Sequence, residues 1–509
     1  MRYRRRSILK AAAALAGAAA IEFKGRVLAA SRERSWDLIV VGGGNAGLPA
    51  AIFAAQRGAR VLIIDTAAQL GGTLHLSTGQ MSAAGTKLQK SKGIADSPQS
   101  HYDDVMRISG NSADPQLLRL AVDNAAPAFD WLTEHGFAAL PEHPITGTTH
   151  DPYSHARYAW GKEGGRSILK VLLEQLQPHL DTGRVQTLLQ TEVTRLLQAR
   201  DGGVRGVETQ NLDEEKTQHL ARYTVLTCGG YTDNRALFEK YEGHRSYSQA
   251  TYPFSQGAGY TLGEAAGGYI RGGQNHTPLF GAVLANDDYP SPMRAMVRHF
   301  PPDRPPWEIF VNTAGQRFVR EDVPSHTSYE HALGAQPDER CWVVFDDAIL
   351  NAAPRLAAGF GVRYSQQDLR KLFEDGTPHF YRADSIAELA QRAGVDPGGL
   401  GATVEAYNRA QASGQDALGR QYLPLPITKA PYYAIRLQSW NLTSYAGLAV
   451  DRQLRVIRPG GKPIGNLYAA GELLGMGQLM GHAVCGGMAV TPALALGRLL
   501  GHEILKFSS

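Results

Sequence analysis

The stretch Asp37-Leu38-Ile39-Val40-Val41-Gly42-Gly43-Gly44-Asn45-Ala46-Gly47 decides the fold, together with Val61-Leu62-Ile63-Ile64-Asp65 downstream. The two apolar runs predict buried parallel strands. The segment between them carries Leu48, Ala51, Ile52 and Ala55 on one face and predicts a crossover helix ending near Arg60. Gly42, Gly44 and Gly47 fit G-x-G-x-x-G. The first glycine makes the tight turn, the second admits a pyrophosphate to the backbone, and the third lets helix pack on strand. The helix N-terminus then offers unpaired N–H groups and the positive end of its dipole to the phosphates. Asp65 ends the second strand, eighteen residues beyond Gly47, where an acid can hold a ribose hydroxyl. This order marks a dinucleotide site and leaves open whether FAD or NAD fills it.

At 509 residues the chain can bury a large core and is long enough for two or more domains. The formal net charge of +4 comes from the N-terminus: residues 1–30 hold seven basic residues and one acid, which leaves the remainder at −2. A near-neutral body implies no nucleic-acid or polyanion surface. Arg5-Arg6-Ser7-Ile8-Leu9-Lys10 has the twin-arginine form. The alanine-rich run from Ala11 to Ile21 is too short and too mildly apolar to span a bilayer, and Val27-Leu28-Ala29-Ala30 offers small residues for cleavage. The expectation is a twin-arginine signal peptide over residues 1–30, export of a folded protein to the periplasm, and no stable membrane insertion. Cys228, Cys341 and Cys485 are odd in number and in no metal-binding spacing. They are expected as buried apolar groups, with neither a disulfide framework nor a metal site.

Further along, Gly71-Gly72-Thr73-Leu74-His75-Leu76-Ser77-Thr78-Gly79-Gln80-Met81-Ser82-Ala83-Ala84-Gly85-Thr86 suits a loop pressed on a flat, polar ligand. Helical spacing over residues 117–136 predicts one helix ending at Gly136. Residues 144–166 read as a surface excursion near the site, and Gly164-Gly165-Arg166 opens a helix from Ser167 to about Leu176, stopped by Pro178. Alternation from 185 to 227 predicts strands, the last delivered into Cys228-Gly229-Gly230, a second point of close backbone approach. Composition shifts near 275, and residues 275–443 read as an inserted domain with a strand at 308–312 and helices near 365–375, 385–393 and 398–412. Residues 444–509 return to the first pattern, with strands at 447–451 and 467–472 and a closing helix from Gly486 to Leu505.

Five stretches in this order resemble the FAD-dependent flavoproteins of the fumarate reductase/succinate dehydrogenase and 3-ketosteroid dehydrogenase type. They are Val41 to Gly47, Gly71 to Thr86, Cys228-Gly229-Gly230, Asn312 to Phe318, and Asn466-Leu467-Tyr468-Ala469-Ala470-Gly471-Glu472; Ile94-Ala95-Asp96-Ser97-Pro98 resembles the soluble fumarate reductases. The resemblance runs from about 37 to 506 and implies FAD rather than NAD. It implies an α/β fold: a Rossmann-like, glutathione-reductase-type FAD domain, split into residues 36–274 and 444–509, with an α+β capping domain, 275–443, inserted between. By resemblance Gly42, Gly44, Asn45 and Ala46 form the pyrophosphate turn, and Asp65, followed by Thr66, holds the adenosine ribose. Gly72, Thr73, Leu74, Ser77, Thr78 and Gly79 line the phosphates and ribityl chain. Val193 touches adenine by its backbone, Glu472 binds the ribityl chain, Gly230 is a further FAD-binding position, and Ala489 and Val490 lie at the isoalloxazine beside a helix N-terminus. The histidine that tethers flavin in membrane-bound relatives aligns with Thr73, two residues from His75, so the FAD is expected to be non-covalent.

The resemblance further implies hydride transfer between flavin N5 and a carbon next to an activating carbonyl or carboxylate, with a proton moved at the neighbouring carbon. The fumarate reductases' proton-donor arginine falls at Ser325, next to His326. Their second substrate arginine falls at Val484 and their late histidine at about Thr443, while His276 matches. The steroid dehydrogenases share Met480-Gly481-His482, but their closing tyrosine also falls at Val484, and their Pro-Tyr pair at Pro324-Ser325. Burying a dianion without charge partners costs several kcal/mol. The expected reaction is therefore α,β-dehydrogenation of a neutral ketone, cyclic ones included. Proton-transfer candidates are His326 and Tyr329 on the cap, Tyr445 and His482 on the flavin side, and His276 at the cap entrance. One alternative is a periplasmic reductase of an unsaturated acid resembling fumarate or urocanate reductases; another is a non-catalytic flavin-binding electron carrier. No C-x-x-C-H haem motif occurs, so the electron acceptor or donor is expected to be a separate partner.

Overall fold

The computed structural model describes residues 35–147, 150–297, 304–353, 356, 358–359 and 364–506. The expected signal peptide at 1–30 lies outside them.

Strand β1 (Trp36–Val41) is buried along almost its whole length because it lies mid-sheet, under the apolar helix α1 (Gly47–Gln56). It pairs in parallel with β2 (Val61–Ile64), Leu38 opposite Val61, and β2 pairs in parallel with β3 (Val185–Leu188). A short antiparallel ladder, β4 (Glu192–Gln198) with β5 (Val204–Gln210), joins the outer half of β6 (Lys216–Leu226). The inner half of β6 pairs in parallel with β1, Val41 opposite Leu226. This sheet runs up to the long antiparallel sheet of the inserted segment: β7 (Leu279–Leu284), β8 (Met293–Met296), β9 (Ile309–Val311), β10 (Arg340–Asp346), β11 (Phe380–Ala383) and β12 (Tyr432–Trp440). The order is β9-β10-β12-β7-β8, with β11 also on β12. The chain then rejoins the first sheet through β13 (Arg455–Ile457) and β14 (Pro463–Ala469), the latter parallel to β6 with Leu467 opposite Thr224.

Four more helices position the site: α2 (Gly165–Asp181), α3 (Arg235–Glu242), α4 (His326–Gly334) and α5 (Val490–Glu503). The last of these lies on the first helix of the chain. A Cβ on Gly497 would fall 2.1 Å from the Ala46 carbonyl oxygen, and one on Gly501 would fall 2.7 Å from that of Ala50. The two backbones thus pack directly, and the sequence-distant ends of the fold close on each other. Two separate apolar cores result, one under each sheet. A small third cluster, Leu279, Ala282 and Trp440 with Val484 against it, sits at the seam.

The structure corrects several sequence expectations. Residues 117–136 form two helices, Pro115–Asp123 and Ala125–Glu134, because the Asn124 amide folds back onto the Leu120 carbonyl at 2.8 Å. Pro178 lies inside α2, close enough to its end that one missing N–H is tolerated. The segment 144–166 is no surface excursion: Tyr153, Arg157 and Tyr158 are buried, with Arg157 paired to Asp96 and Asp104. The strand at 447–451 shrinks to Gly447–Leu448, and the closing helix starts at Val490 rather than Gly486. Among the described residues no helix is long and apolar enough to cross a membrane.

Candidate active site

A cavity of about 660 Å³ opens where the carboxyl ends of β1, β2 and β6 meet the seam between the sheets. Gly42, Gly44, Asn45 and Ala46 line it. Gly42 has φ 102°, and a Cβ there would fall 2.4 Å from the Thr227 carbonyl oxygen; a Cβ on Gly47 would fall 1.9 Å from the Gly42 carbonyl oxygen. The turn has no room for side chains, so its backbone forms the cavity wall. Helices α1 and α5 begin here, at Ala46 and Ala489, and neither carries a side-chain cap, whereas Asn234 and Ser325 cap α3 and α4. Two uncapped N-termini bring unsatisfied N–H groups and positive dipole ends to one cavity. Asn45 bridges them: its amide donates to the Val490 carbonyl at 2.8 Å, while its Oδ1 is buried without a partner.

Asp65, Thr66 and Val193 line the far end. Asp65 also braces the glycine turn, accepting from the N–H of Gly43 at 2.7 Å and of Ala67 at 2.8 Å, and burial raises its pKa. Gly72, Thr73, Leu74, Ser77 and Thr78 form one side. The His75 ring turns away, its Nε2 2.9 Å from the Leu70 carbonyl oxygen. Glu472, Ala489 and Val490 line the opposite side. Glu472 accepts from the Ser444 N–H at 3.0 Å, and burial pushes its carboxyl up to about 7. Gly230 and Gly79 are not on the wall. A Cβ on Gly230 would fall 2.2 Å from Glu472 Oε1, so its bareness seats that carboxylate, while Gly79 abuts the Gly164 backbone. A long dinucleotide suits these features: the N-terminus of α1 for its phosphates, that of α5 for electron-rich atoms at its other end, Asp65 for a ribose, and the orphaned Asn45 Oδ1 between.

Toward the cap the lining changes to Thr277, Leu279, Trp440, Tyr445, Met480 and Val484, with His150 and Tyr158. No Lys or Arg lines the cavity among the described residues. Cys228 and Cys485 line it too; Cys485 is buried in the apolar core as expected, whereas Cys228 is only half-buried, and burial pushes its thiol up to about 12. Of the five proton-transfer candidates, only Tyr445 reaches the wall; burial holds its phenol well above 10. Tyr329 is fully buried in the cap core, its hydroxyl donating to the Glu321 carbonyl. His482 stacks on His331 at 3.8 Å between ring centres, and its carbonyl is 2.8 Å from the His331 Nε2.

His276 lies in a buried ionic cluster at the cap entrance. Its Nδ1 is 3.1 Å from Glu242 and its Nε2 3.5 Å from Glu339, while its ring stacks on His244, which reaches Glu339 at 2.6 Å. Ser439 also donates to Glu339, and the Tyr445 N–H donates to Glu242 at 2.7 Å. Burial alone would lower the His276 pKa, but the two carboxylates raise it to about 9; burial would raise Glu339, but the two imidazoles hold it near 2.

His326 stands just behind the wall. Asp151 receives the Ser325 hydroxyl and the His326 N–H, each at 2.8 Å, and so clasps the N-terminus of α4 to the flavin side of the molecule. Beside that clasp, His150 on the cavity wall faces Glu330 of α4. The sequence reading missed His150, Tyr158, Thr277, Trp440 and Glu330. The His- and Tyr-rich composition of 144–166 was the only local signal for the first two.

Residues 37–488 match the profile of the FAD binding domain family. The chain belongs to that family and is an FAD-dependent oxidoreductase of the fumarate reductase and ketosteroid dehydrogenase group, an enzyme acting on carbon–carbon bonds. It is 27% identical to the fumarate reductase (cytochrome) of Shewanella frigidimarina over 94% of this chain and 79% of that one. It is 24% identical to the 3-oxosteroid 1-dehydrogenase of Mycobacterium tuberculosis over 92% and 97%. Its fold matches the 3-ketosteroid Δ1-dehydrogenase of Sterolibacterium denitrificans in complex with 1,4-androstadiene-3,17-dione, with a TM-score of 0.73 and 19% identity over 93% and 100% of the two chains.

Proposed function

We propose that the protein is exported by the twin-arginine route to the periplasm, holds FAD non-covalently, and dehydrogenates a neutral ketone, cyclic ones included, at the carbon–carbon bond next to the carbonyl, with the reverse reaction also open to it. One observation carries the substrate reading: no Lys or Arg lines the cavity among the described residues. A dicarboxylate there would give up its water without a cation, at a cost of several kcal/mol. The Tyr445 hydroxyl, which donates only at 3.4 Å to the Ala483 carbonyl, and the Thr277 hydroxyl, which donates to the Asn275 carbonyl at 3.2 Å, can turn to hold a substrate carbonyl oxygen, and burial keeps the Tyr445 phenol protonated. Leu279, Trp440, Met480 and Val484 exclude water from that end. When bound, FAD supplies or accepts the hydride at N5. The position of His75, held on the Leu70 carbonyl away from the wall, supports non-covalent binding; acid precipitation should release free FAD, and a yellow pellet would refute this.

The substrate test mixes anaerobic oxidised holoprotein with saturated ketones, steroids and acids. Bleaching of the flavin by a neutral ketone is expected. The similarity to a fumarate reductase supports a second reading, reduction of an unsaturated acid fed by a separate electron donor. Reoxidation of dithionite-reduced flavin by fumarate or urocanate, with no ketone active, would favour it instead.

A further inference from the structure

We propose that His150 exchanges a proton with the substrate carbon and that Glu330, enclosed behind it, stores that proton. The proposal rests on the reading of the cavity as a carbon–carbon oxidoreductase site. His150 is the one histidine on the cavity wall among the described residues. Its Nδ1 is turned away from water, without a hydrogen-bond partner, and lies 3.7 Å from Glu330 Oε1. His326 Nε2 lies 3.7 Å from the same oxygen. Glu330 is fully buried in α4, and neither carboxyl oxygen has a hydrogen-bond partner.

A buried carboxyl left without partners is costly, and a fold keeps one where it serves chemistry. The groups facing it are His150 and Asp151 on the flavin side, His326 on its own helix, and Tyr445 and Cys485 across the seam. Burial, and then Asp151, raise the Glu330 pKa well above 4.5, so this carboxyl holds its proton more firmly than an ordinary glutamic acid. Burial lowers His150 to about 3, so its imidazole is neutral at rest. The separations exceed hydrogen-bond length by a few tenths of an ångström, and contacts of this kind tighten when substrate seats.

The step balances as follows in the reducing direction. The Glu330 O–H bond breaks and its proton joins His150 Nδ1. The proton on His150 Nε2 goes to the substrate carbon, forming a C–H bond, while the electron pair arrives as the hydride that the family's reduced cofactor delivers to the adjacent carbon. The substrate C=C π bond is broken, His150 ends neutral with its proton on Nδ1, and Glu330 ends as a carboxylate; the Nδ1 proton then returns to Glu330 as Nε2 takes a proton from water entering the cavity, which restores both groups. Dehydrogenation runs the same path backward and needs the carboxylate form. The two directions therefore respond oppositely to pH: flavin bleaching by a saturated ketone rises with pH, and reoxidation by an unsaturated ketone falls.

The test compares FAD-loaded wild type, E330Q, E330M and H150Q. Wild type should show the infrared C=O stretch of a protonated, weakly bonded carboxyl group, and E330Q should lose it. With 4-androstene-3,17-dione and cyclohexanone as probes, E330Q and H150Q should each slow electron exchange with the flavin about 100-fold and flatten its pH profile, and the double variant should be no slower than either. E330M should keep or raise the thermal midpoint, since it removes an unpartnered buried carboxyl; a merely structural Glu330 would lower it. A wild-type spectrum without that band, unchanged kinetics in E330Q, or stoichiometric zinc retained by His150, His326 and Glu330 would each overturn the proposal. Should neither probe exchange electrons with the wild-type flavin, the ketone reading fails and the infrared band decides alone: its loss in E330Q upholds the proton store, and its absence from wild type ends it.

Discussion

Replacing His276 with Gln should loosen the attachment of the cap and erase a pH dependence that wild type shows. His276 stands between Glu242, on the flavin side, and Glu339, on the cap, at 3.1 and 3.5 Å, and is almost wholly buried. Its pKa, raised to about 9 from 6.5, means that the folded chain keeps a proton that the unfolded chain releases between those values. Stability is then fully present below pH 6.5 and is lost as pH rises through about 9. At 1.36 kcal/mol per unit the loss is at most about 3 kcal/mol. H276Q removes the cation and leaves Glu242 with only the Tyr231 hydroxyl and the Tyr445 N–H, and Glu339 with His244 and Ser439. Stripping one partner from a buried pair costs about 3–5 kcal/mol. At about 2–4 °C per kcal/mol for a unit of cap size, the thermal midpoint near pH 6.5 should fall by roughly 10 °C. The assay is thermal unfolding of FAD-loaded wild type and H276Q across that pH range, followed by near-ultraviolet dichroism. Wild type should lose stability toward pH 9 and H276Q should show a flatter curve; adding Glu242→Gln should restore part of the loss. A variant within 1 °C of wild type, with the same pH slope, would refute the assignment of His276 as the charge that ties the two carboxylates.

Gly47→Ala should leave little or no FAD bound, because the added Cβ would fall 1.9 Å from the Gly42 carbonyl oxygen; FAD content of purified protein reads this. Glu472→Gln should change the pH profile of the apoprotein. The folded chain holds this proton up to about pH 7 and the unfolded chain only to about 4.5, so wild-type stability falls across that window by at most about 3 kcal/mol and the variant lacks that fall, as urea titration at several pH values would show. Tyr445→Phe should retain FAD and slow flavin bleaching by a ketone about 100-fold, measured by stopped-flow absorbance.

The dinucleotide half of the site was legible because its constraints are local. Gly42, Gly44 and Gly47 sit in one turn, Asp65 ends the adjoining strand, and steric exclusion at those glycines leaves few alternatives. The split of the chain was legible from the return of strand patterning after residue 444. The substrate half was legible only at Tyr445, because it is assembled across the seam and His150, Thr277 and Trp440 share no period or spacing with it. His326 was noticed as a lone histidine. Glu330, four residues further along the same helix, looked like an ordinary helical acid, and only burial sets it apart. Tyr329 misled for the converse reason: an aromatic one turn into that helix faces the cap core as readily as the cavity. Pro178 and Asn124 show the usual limit at helix boundaries, where one side-chain hydrogen bond or one missing donor moves an end by several residues.

The clasp between Asp151 and the start of α4 bears on access to the site. A carboxylate that accepts from both Ser325 Oγ and the His326 N–H joins the two halves of the molecule at the mouth of the substrate end. Charge-assisted bonds of this kind are worth roughly 1.5–3 kcal/mol each. Parting both costs about 3–6 kcal/mol, and the His276 tie between Glu242 and Glu339 adds to that, so the substrate end is shut to bulk water for all but a small fraction of the time.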